Sequence, residues 1–372
     1  MKLAIANLLH DRIRFLVATA GIAFAIFLIA FQASLLNGFL AASSKIIDAT
    51  DGDLWIVARG VPCFDFSATL PRRFLEMIRG ADGIASVSRM SMAFVEFRKT
   101  GGRHQVVALV GADPEVGSRF PVPHIAGQPN AILPDSVLVD HSTRELLSVD
   151  QLPLNVEING RRARVTGEIE GFSSFLGSPY VFTSYREATR YMKMGPEDAM
   201  YLVARTAPGR SIEEVKAGIQ AHFPEVDVWT RAEFADRARR YWLSQTGAGG
   251  SIISAALLGF IIGLLVVSQT IYAATMDNIE EFATLSALGA SRRYITTVVL
   301  VQALIVGAIG CLAGWLGALP VIRQATALIA WIQAPWWLPL AVFPAGLAMC
   351  ALASIISVRR ALTVDPGQVF RA

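Results

Sequence analysis

The sequence predicts an α-helical membrane protein with four transmembrane helices and a large α+β extracytoplasmic domain inserted between helices 1 and 2. Three observations carry that expectation. With 53% hydrophobic residues in 372, the chain is too apolar for an ordinary soluble protein, and with 17% charged residues it is too polar to be all membrane. Apolar runs long enough to cross a bilayer stand at both ends of the chain, one near the start and three in the last third. Between about Lys45 and Arg240 the composition changes: charges become frequent, glycine and proline punctuate, and hydrophobicity alternates with period two.

Residues 1–44 read as an interfacial helix followed by the first span. Leu3, Ala4, Asn7, Leu8 and Asp11 fall at helical spacing with Lys2, Arg12 and Arg14 as their cations, the pattern of a helix lying at a membrane surface. No charge occurs from Phe15 to Ser44, and about 20 residues already cross a hydrocarbon core of roughly 30 Å. A cleavable signal peptide ending near Ala41 and Ala42 is the rival reading. The length of the run and of the tail before it favours an uncleaved anchor.

Residues 45–240 form the aqueous domain. Its start reads as a strand at Asp53 to Ala58, a proline-started helix from Pro71 to Arg79 and a strand at Ile84 to Arg89. Its end repeats that order. Tyr201 to Arg205 (YLVAR) echoes Trp55 to Arg59 (WIVAR), Ser211 with Glu214 matches a capping box for a helix reaching Phe223, and Val226 to Thr230 reads as a strand. The two units are expected to fold together. The middle, about 113–184, is β-rich: Ser136 to Asp140, Leu154 to Ile158, Ala163 to Ile169 and Pro179 to Thr183 read as strands, with Asn159-Gly160 as a hairpin turn. Arg161, Arg162 and Arg164 are expected on a solvated strand edge, with an anion-binding patch as the alternative.

Arg231 to Trp242 is an amphipathic helix expected to run without a break into the second span, residues 241–276, because no proline intervenes before Met276. Spans three and four are assigned to 294–322 and 323–358, and a tail to 359–372. Gly307, Gly310, Gly314 and Gly317 give the third span a small-residue stripe that lets helices approach closely in lipid. Trp331, Trp336 and Trp337, with Pro335 and Pro339, mark a turn at a membrane surface. Lys2, Arg12, Arg14, Arg292, Arg293, Arg359, Arg360 and Arg371 share one side under this topology. The cation-rich side is cytosolic, so both termini are expected inside and the large domain outside.

The chemistry of a soluble enzyme is missing from the pattern. His10, His104, His124, His141 and His222 have no metal-ligand spacing with one another or with Cys63, Cys311 and Cys350. Asp140, His141 and Ser142 are adjacent, but neighbours along a strand point to opposite faces and do not converge by proximity alone. No phosphate-binding GxxxxGK[ST] loop occurs, and no ionisable residue lies deep within a span, which disfavours nucleotide hydrolysis by this chain and ion-coupled transport. A net charge of +3 without a basic, aromatic-interleaved run gives nucleic-acid binding no support.

One polar stretch between spans remains, residues 277–293, with the sequence DNIEEFATLSALGAS from Asp277 to Ser291. At helical spacing Asn278, Glu281, Leu285 and Leu288 share one face beside Ile279, Phe282, Ala283 and Ser286, and Gly289 supplies a helix stop. It reads either as an ordinary solvated loop or as a docking helix for a cytosolic partner. The segment Glu281 to Ala290 (EFATLSALGA) resembles the acidic, Ala-Leu-Gly-Ala coupling motif of the FtsX-like, MacB-type permease family of ATP-binding cassette systems. Its EFATL part is similar to the EYATL form of DevC-type exporter permeases. The stretch from Leu8 to Gly21, Val364-Asp365-Pro366 near the end, and the Val137 to Asp140 strand with Val165-Thr166-Gly167 also resemble the family. Ser286 stands where many relatives carry a basic residue.

The resemblance implies a permease subunit in a bacterial inner membrane. A separate cytosolic ATPase, which binds the ATP, would dock on Asn278, Glu281, Phe282, Leu285, Leu288 and Gly289. Its motion would reach the external domain through the second helix. The resemblance further implies a second permease copy and, for DevC-type members, a periplasmic adaptor with an outer-membrane tunnel. Two other functions remain open: an FtsX-like relay activating an extracytoplasmic cell-wall enzyme, and an anchored receptor without an ATPase.

Overall fold

A computed structural model describes residues 12–99, 101–113, 124–127, 134–195, 198–277, 284 and 290–361. The chain divides into two compact units, one of 1–38, 249–328 and 332–372, the other of 39–248 and 329–331. The expected N-terminal interfacial helix and the end of the tail lie largely outside the described residues.

The aqueous unit follows from two strand-helix-strand halves. The first comprises β1 (Leu54–Ala58), α2 (Arg72–Arg79) and β2 (Ile84–Arg98), preceded by the end of α1 (Arg12–Asp48). After β2 come β3 (His104–Ala112), β4 (His124–Gly127), β5 (Ser136–Asp140), β6 (Leu154–Ile158), β7 (Arg161–Ile169), β8 (Tyr180–Ser184) and α3 (Tyr185–Met192). The second half is β9 (Tyr201–Thr206), α4 (Ile212–His222) and β10 (Val226–Thr230), and α5 (Arg231–Arg240) follows. The strand order β10-β1-β9-β2 is antiparallel throughout, which makes the two halves an interlocked split β-α-β pair. The two echoing segments lie side by side, with Trp55 opposite Val203 and Leu54 opposite Ala204. Leu54, Ile56, Phe74, Ile78, Leu202, Val215 and Ile219 form their shared core.

The middle segment closes on itself. β2 pairs β3, β3 pairs β8, β8 pairs β5, β5 pairs β7, β7 pairs β6, and β6 returns to the end of β2 through Phe97 opposite Ile158. Six strands therefore make a small closed barrel, with no free edge along that ring and an interior filled by side chains. Phe97, Leu109, Val139, Ile158, Val165 and Val181 supply that interior and are 0% exposed. β2 is longer than the strand expected at Ile84 to Arg89 because its second half belongs to this barrel. Arg161, Arg162 and Arg164 are exposed, but β7 is bonded to β4, β5 and β6, so they mark an outer face and not an edge. Asn159 and Gly160, with φ of 47° and 77°, form the left-handed two-residue turn joining β6 to β7.

In the apolar unit α1 packs with α6 (Gly247–Asp277), α7 (Arg292–Leu328) and α8 (Leu338–Ala361). Ile22, Ala25, Ile26 and Ala30 recur at helical spacing on α1 and are at most 1% exposed. Gly310 and Gly314 of α7 face them, and Gly307 faces α8. A Cβ on Gly310 would lie 2.6 Å from Ile22 Cγ2, one on Gly314 would lie 2.9 Å from Ile26 Cβ, and one on Gly307 would lie 2.9 Å from Cys350 Sγ. Gly317 has nothing within 4 Å and does not join that stripe. Among the described residues, three helices are long and apolar enough to cross a membrane, within α1, α6 and α7, and α8 adds a shorter apolar stretch, Leu338–Ser354. The helix assigned to span three does not stop at Ile322, nor does the helix assigned to span four begin at Arg323. α7 continues to Leu328 with Arg323 exposed on it, and α8 starts only at Leu338, where the Leu338 amide donates to the Pro335 carbonyl at 3.0 Å.

Candidate functional site

The six residues expected to dock an ATPase, Asn278, Glu281, Phe282, Leu285, Leu288 and Gly289, lie outside the described residues. α6 ends just before them at Asp277 and α7 begins just after at Arg292; Thr284 between them is helical. What the structure does define is the junction where the last turns of α1 and the whole of α5 meet the sheet.

Two expectations are corrected at this junction. The Ser211 side chain makes no cap bond, and the capping box closes α5 instead: Thr230 Oγ1 accepts from the Glu233 amide at 3.2 Å, and Glu233 accepts from the Thr230 amide at 2.8 Å. Lys216 of α4 donates to the same carboxylate at 2.5 Å. Burial works against the charge on Glu233, yet the Lys216 ammonium and the Thr230 donors hold its carboxyl below the usual range. Nor does α5 run unbroken into α6. It passes through a π-turn at Tyr241–Gln245 and an extended residue, Thr246 (φ −113°, ψ 152°). The absence of proline was not enough to keep the helix straight, since a π-turn is itself a source of kinks.

The end of α1 is fastened to the same corner. Asp48 accepts from Arg239 of α5 at 2.8 Å and from Ser44 at 2.7 Å, and the Arg231 guanidinium donates to the Thr50 carbonyl at 2.9 Å. Asp53 accepts from the amide and the hydroxyl of Thr206 at 2.9 Å. Aromatic rings fill the space below. Trp242 of the π-turn has Phe175 at 4.8 Å, Phe66 at 6.0 Å and Phe39 of α1 at 6.5 Å, and Phe39 in turn meets Phe175 at 4.9 Å and Trp331 at 6.4 Å. Most of these contacts are edge-on, the arrangement favoured by ring quadrupoles.

Asp65 lies at the centre of this cluster. It is 5% exposed, and it accepts from the Trp242 indole at 2.9 Å and from the Tyr180 hydroxyl at 3.4 Å. Burial pushes its carboxyl up to about 6, and the two hydrogen bonds only partly offset that. Burial, with the Asp65 charge, raises the neighbouring Cys63 thiol to about 12, so Cys63 is an inert packing residue. Tyr201 donates to the Phe64 carbonyl and closes the same loop from β9.

The Asp140, His141, Ser142 trio serves local structure. Asp140 accepts from the Ser142 amide and hydroxyl and from the Phe172 amide, at 3.0, 2.5 and 2.7 Å. His141 turns away to Glu168, 2.7 Å from its Nδ1. Ser142 and His141 thus use different carboxylates, and no hydroxyl-to-imidazole relay is built there. Among the described residues no group of three or more His, Cys, Asp or Glu is arranged to hold a metal.

Phe39, Asp65, Phe175 and Trp242 were not singled out from the sequence. Their only local signal is an acid among aromatics in Phe64-Asp65-Phe66, since the partners lie 115 and 177 residues away along the chain.

Comparison with known proteins adds to this geometry. The profile of the MacB-like periplasmic core domain matches residues 15–222, and that of the FtsX-like permease C-terminal matches residues 253–366. An uncharacterized ABC transporter permease of Mycobacterium tuberculosis is 24% identical over 337 residues, covering 90% of this chain and 89% of its own. Another, from Mycobacterium bovis, is 22% identical over 364 residues, covering 95% and 94%. Among solved structures, the periplasmic region of MacB from Actinobacillus actinomycetemcomitans covers 53% of this chain and 95% of its own, at 11% identity and a TM-score of 0.37. The extracellular domain of the ABC-type transporter YknZ from Gram-positive bacteria covers 48% and 98%, at 14% identity and a TM-score of 0.37.

Proposed function

Since the chain belongs to the ABC transporter permeases that join a MacB-like periplasmic core domain to an FtsX-like C-terminal domain, we propose that it relays ATP-driven motion of a cytosolic ATPase to its external domain and so drives export across the envelope. A permease of this family works with a partner ATPase subunit. The finer reading is of a DevC-type exporter in a bacterial inner membrane, with both termini and the segment from Asn278 to Gly289 in the cytosol. Residues 45–240 stand outside, and a second permease copy completes the assembly. A periplasmic adaptor and an outer-membrane tunnel extend the path.

The observation that supports a lever most directly is the double fastening of the sheet. Helix α1 and the π-turn leading into α6 meet the same corner through Arg239, Arg231, Phe39 and Trp242. A displacement of either helix end is delivered to the sheet as a whole, because a packed interior transmits strain instead of absorbing it. Bond-making chemistry has no part in this role.

The test is purification of the chain from its native membrane, with recovery of an ABC ATPase subunit as the readout. Glu281→Lys reverses the charge at the proposed docking face and is expected to reduce ATPase recovery at least about tenfold, since a charge reversal at a contact costs more than 1.4 kcal/mol. Unchanged recovery and unchanged export would remove Glu281 from the docking surface.

A further inference from the structure

α5 carries three arginines near its end, and they differ in a way that points to a ligand. Arg239 is paired twice, with Asp48 and Asp236, each at 2.8 Å. Arg237 and Arg240 have no carboxylate partner among the described residues. Arg237 donates its Nε to the Val61 carbonyl at 3.3 Å and stacks over the Trp229 ring at 4.9 Å, while Arg240 donates only to the Asp236 carbonyl at 3.4 Å. Both line a cavity of about 670 Å³ whose other walls include Trp229, Tyr241, Ser244 and Gln245 and no carboxylate.

We propose that this cavity binds the phosphate headgroup of an anionic amphiphile. The terminal nitrogens of two guanidiniums, with the neutral donors of Tyr241 and Gln245, suit a tetrahedral oxyanion, and arginine matches phosphate better than lysine does. Two aromatic walls favour an occupant that also has apolar surface. The chain sets the depth: Gln245 is two residues before Gly247, where the apolar helix α6 begins, so at most about 7 Å of backbone separates them. A headgroup in the outer leaflet beside that helix is within reach of the arginines. This site does not rest on the ATP-coupled reading and needs no ATPase to be occupied.

The test uses the full chain in uncharged maltoside micelles, titrated with dodecyl phosphate and, separately, with inorganic phosphate. Dodecyl phosphate is expected to bind, with affinity falling about tenfold in Arg240→Gln and about a hundredfold in Arg237→Gln/Arg240→Gln, each lost charge-assisted bond being worth about one decade. Arg240 is exposed and makes no ion pair among the described residues, so the single variant keeps the test open if the double variant fails to fold. Inorganic phosphate is expected to bind at least about tenfold more weakly than the amphiphile. Equal affinity for both phosphates would replace the amphiphile with a free anion and overturn the assignment. So would a folded Arg240→Gln chain that binds dodecyl phosphate as the wild type does.

Discussion

Trp242→Ala is expected to loosen the external domain by about 3–5 kcal/mol, the usual cost of deleting a buried tryptophan ring. The ring touches Phe39, Phe66 and Phe175, so its removal opens a hole where α1, the π-turn and the loop after β7 converge. The same change strips Asp65 of its indole donor and leaves its buried carboxyl with one weak side-chain partner, the Tyr180 hydroxyl at 3.4 Å. Trp242→Phe separates the two effects. It keeps most of the ring and loses the donor, for an expected cost of about 1–3 kcal/mol. Hydrogen exchange by mass spectrometry on the full chain reads both, through peptides covering β1, β9 and β10. Protection unchanged in Trp242→Ala would show that the ring is not part of the fastening.

The second large effect is a pH dependence centred on Asp65. Its carboxyl titrates at about 6 in the folded domain, against 3.8 for an unperturbed group, so the fold favours its protonated form. A raised carboxyl contributes stability that is fully present below the unfolded value and is lost as pH rises through the folded one. The window therefore runs from about pH 4 to about pH 6, and a shift of roughly two units corresponds to about 3 kcal/mol. Asp65→Asn keeps the site neutral at every pH and removes that loss. The stability difference between wild type and Asp65→Asn, measured by exchange at pH 4 and pH 7.5, is expected to move by that amount in favour of the variant at the higher pH. Taking the difference cancels the titration of every other carboxylate. A difference that stays flat would mean that Asp65 keeps its charge without penalty.

The elements were legible in the sequence wherever a local period fixed them. Short β-branched runs between turns found β5, β6 and β10, and the echo of Trp55 to Arg59 in Tyr201 to Arg205 found two strands that prove to be bonded neighbours. What escaped was set by distance along the chain. The barrel closes only because Phe97 pairs with Ile158, 61 residues on, and nothing local to Phe97 announces that partner. The capping box was misplaced for a related reason: Ser211 with Glu214 and Thr230 with Glu233 have the same spacing, and a tertiary partner, Lys216, accompanies the second. The break at Thr246 was hidden because no proline signals it. Trp242 turns inward toward Asp65 and the helix adopts a π-turn there. The residues expected to dock an ATPase rest on the motif resemblance alone and lie outside the described residues.

Sided labelling of two engineered thiols tests the energy-entry claim most directly. The native Cys63, Cys311 and Cys350 are buried and leave a quiet background. Ser286→Cys marks the segment between α6 and α7, and Glu213→Cys marks the exposed face of α4 in the large domain. A membrane-impermeant maleimide applied to intact spheroplasts is expected to label Glu213→Cys at once and Ser286→Cys only after the membrane is opened. Labelling of both from the outside would put the segment and the domain in one compartment and contradict the lever.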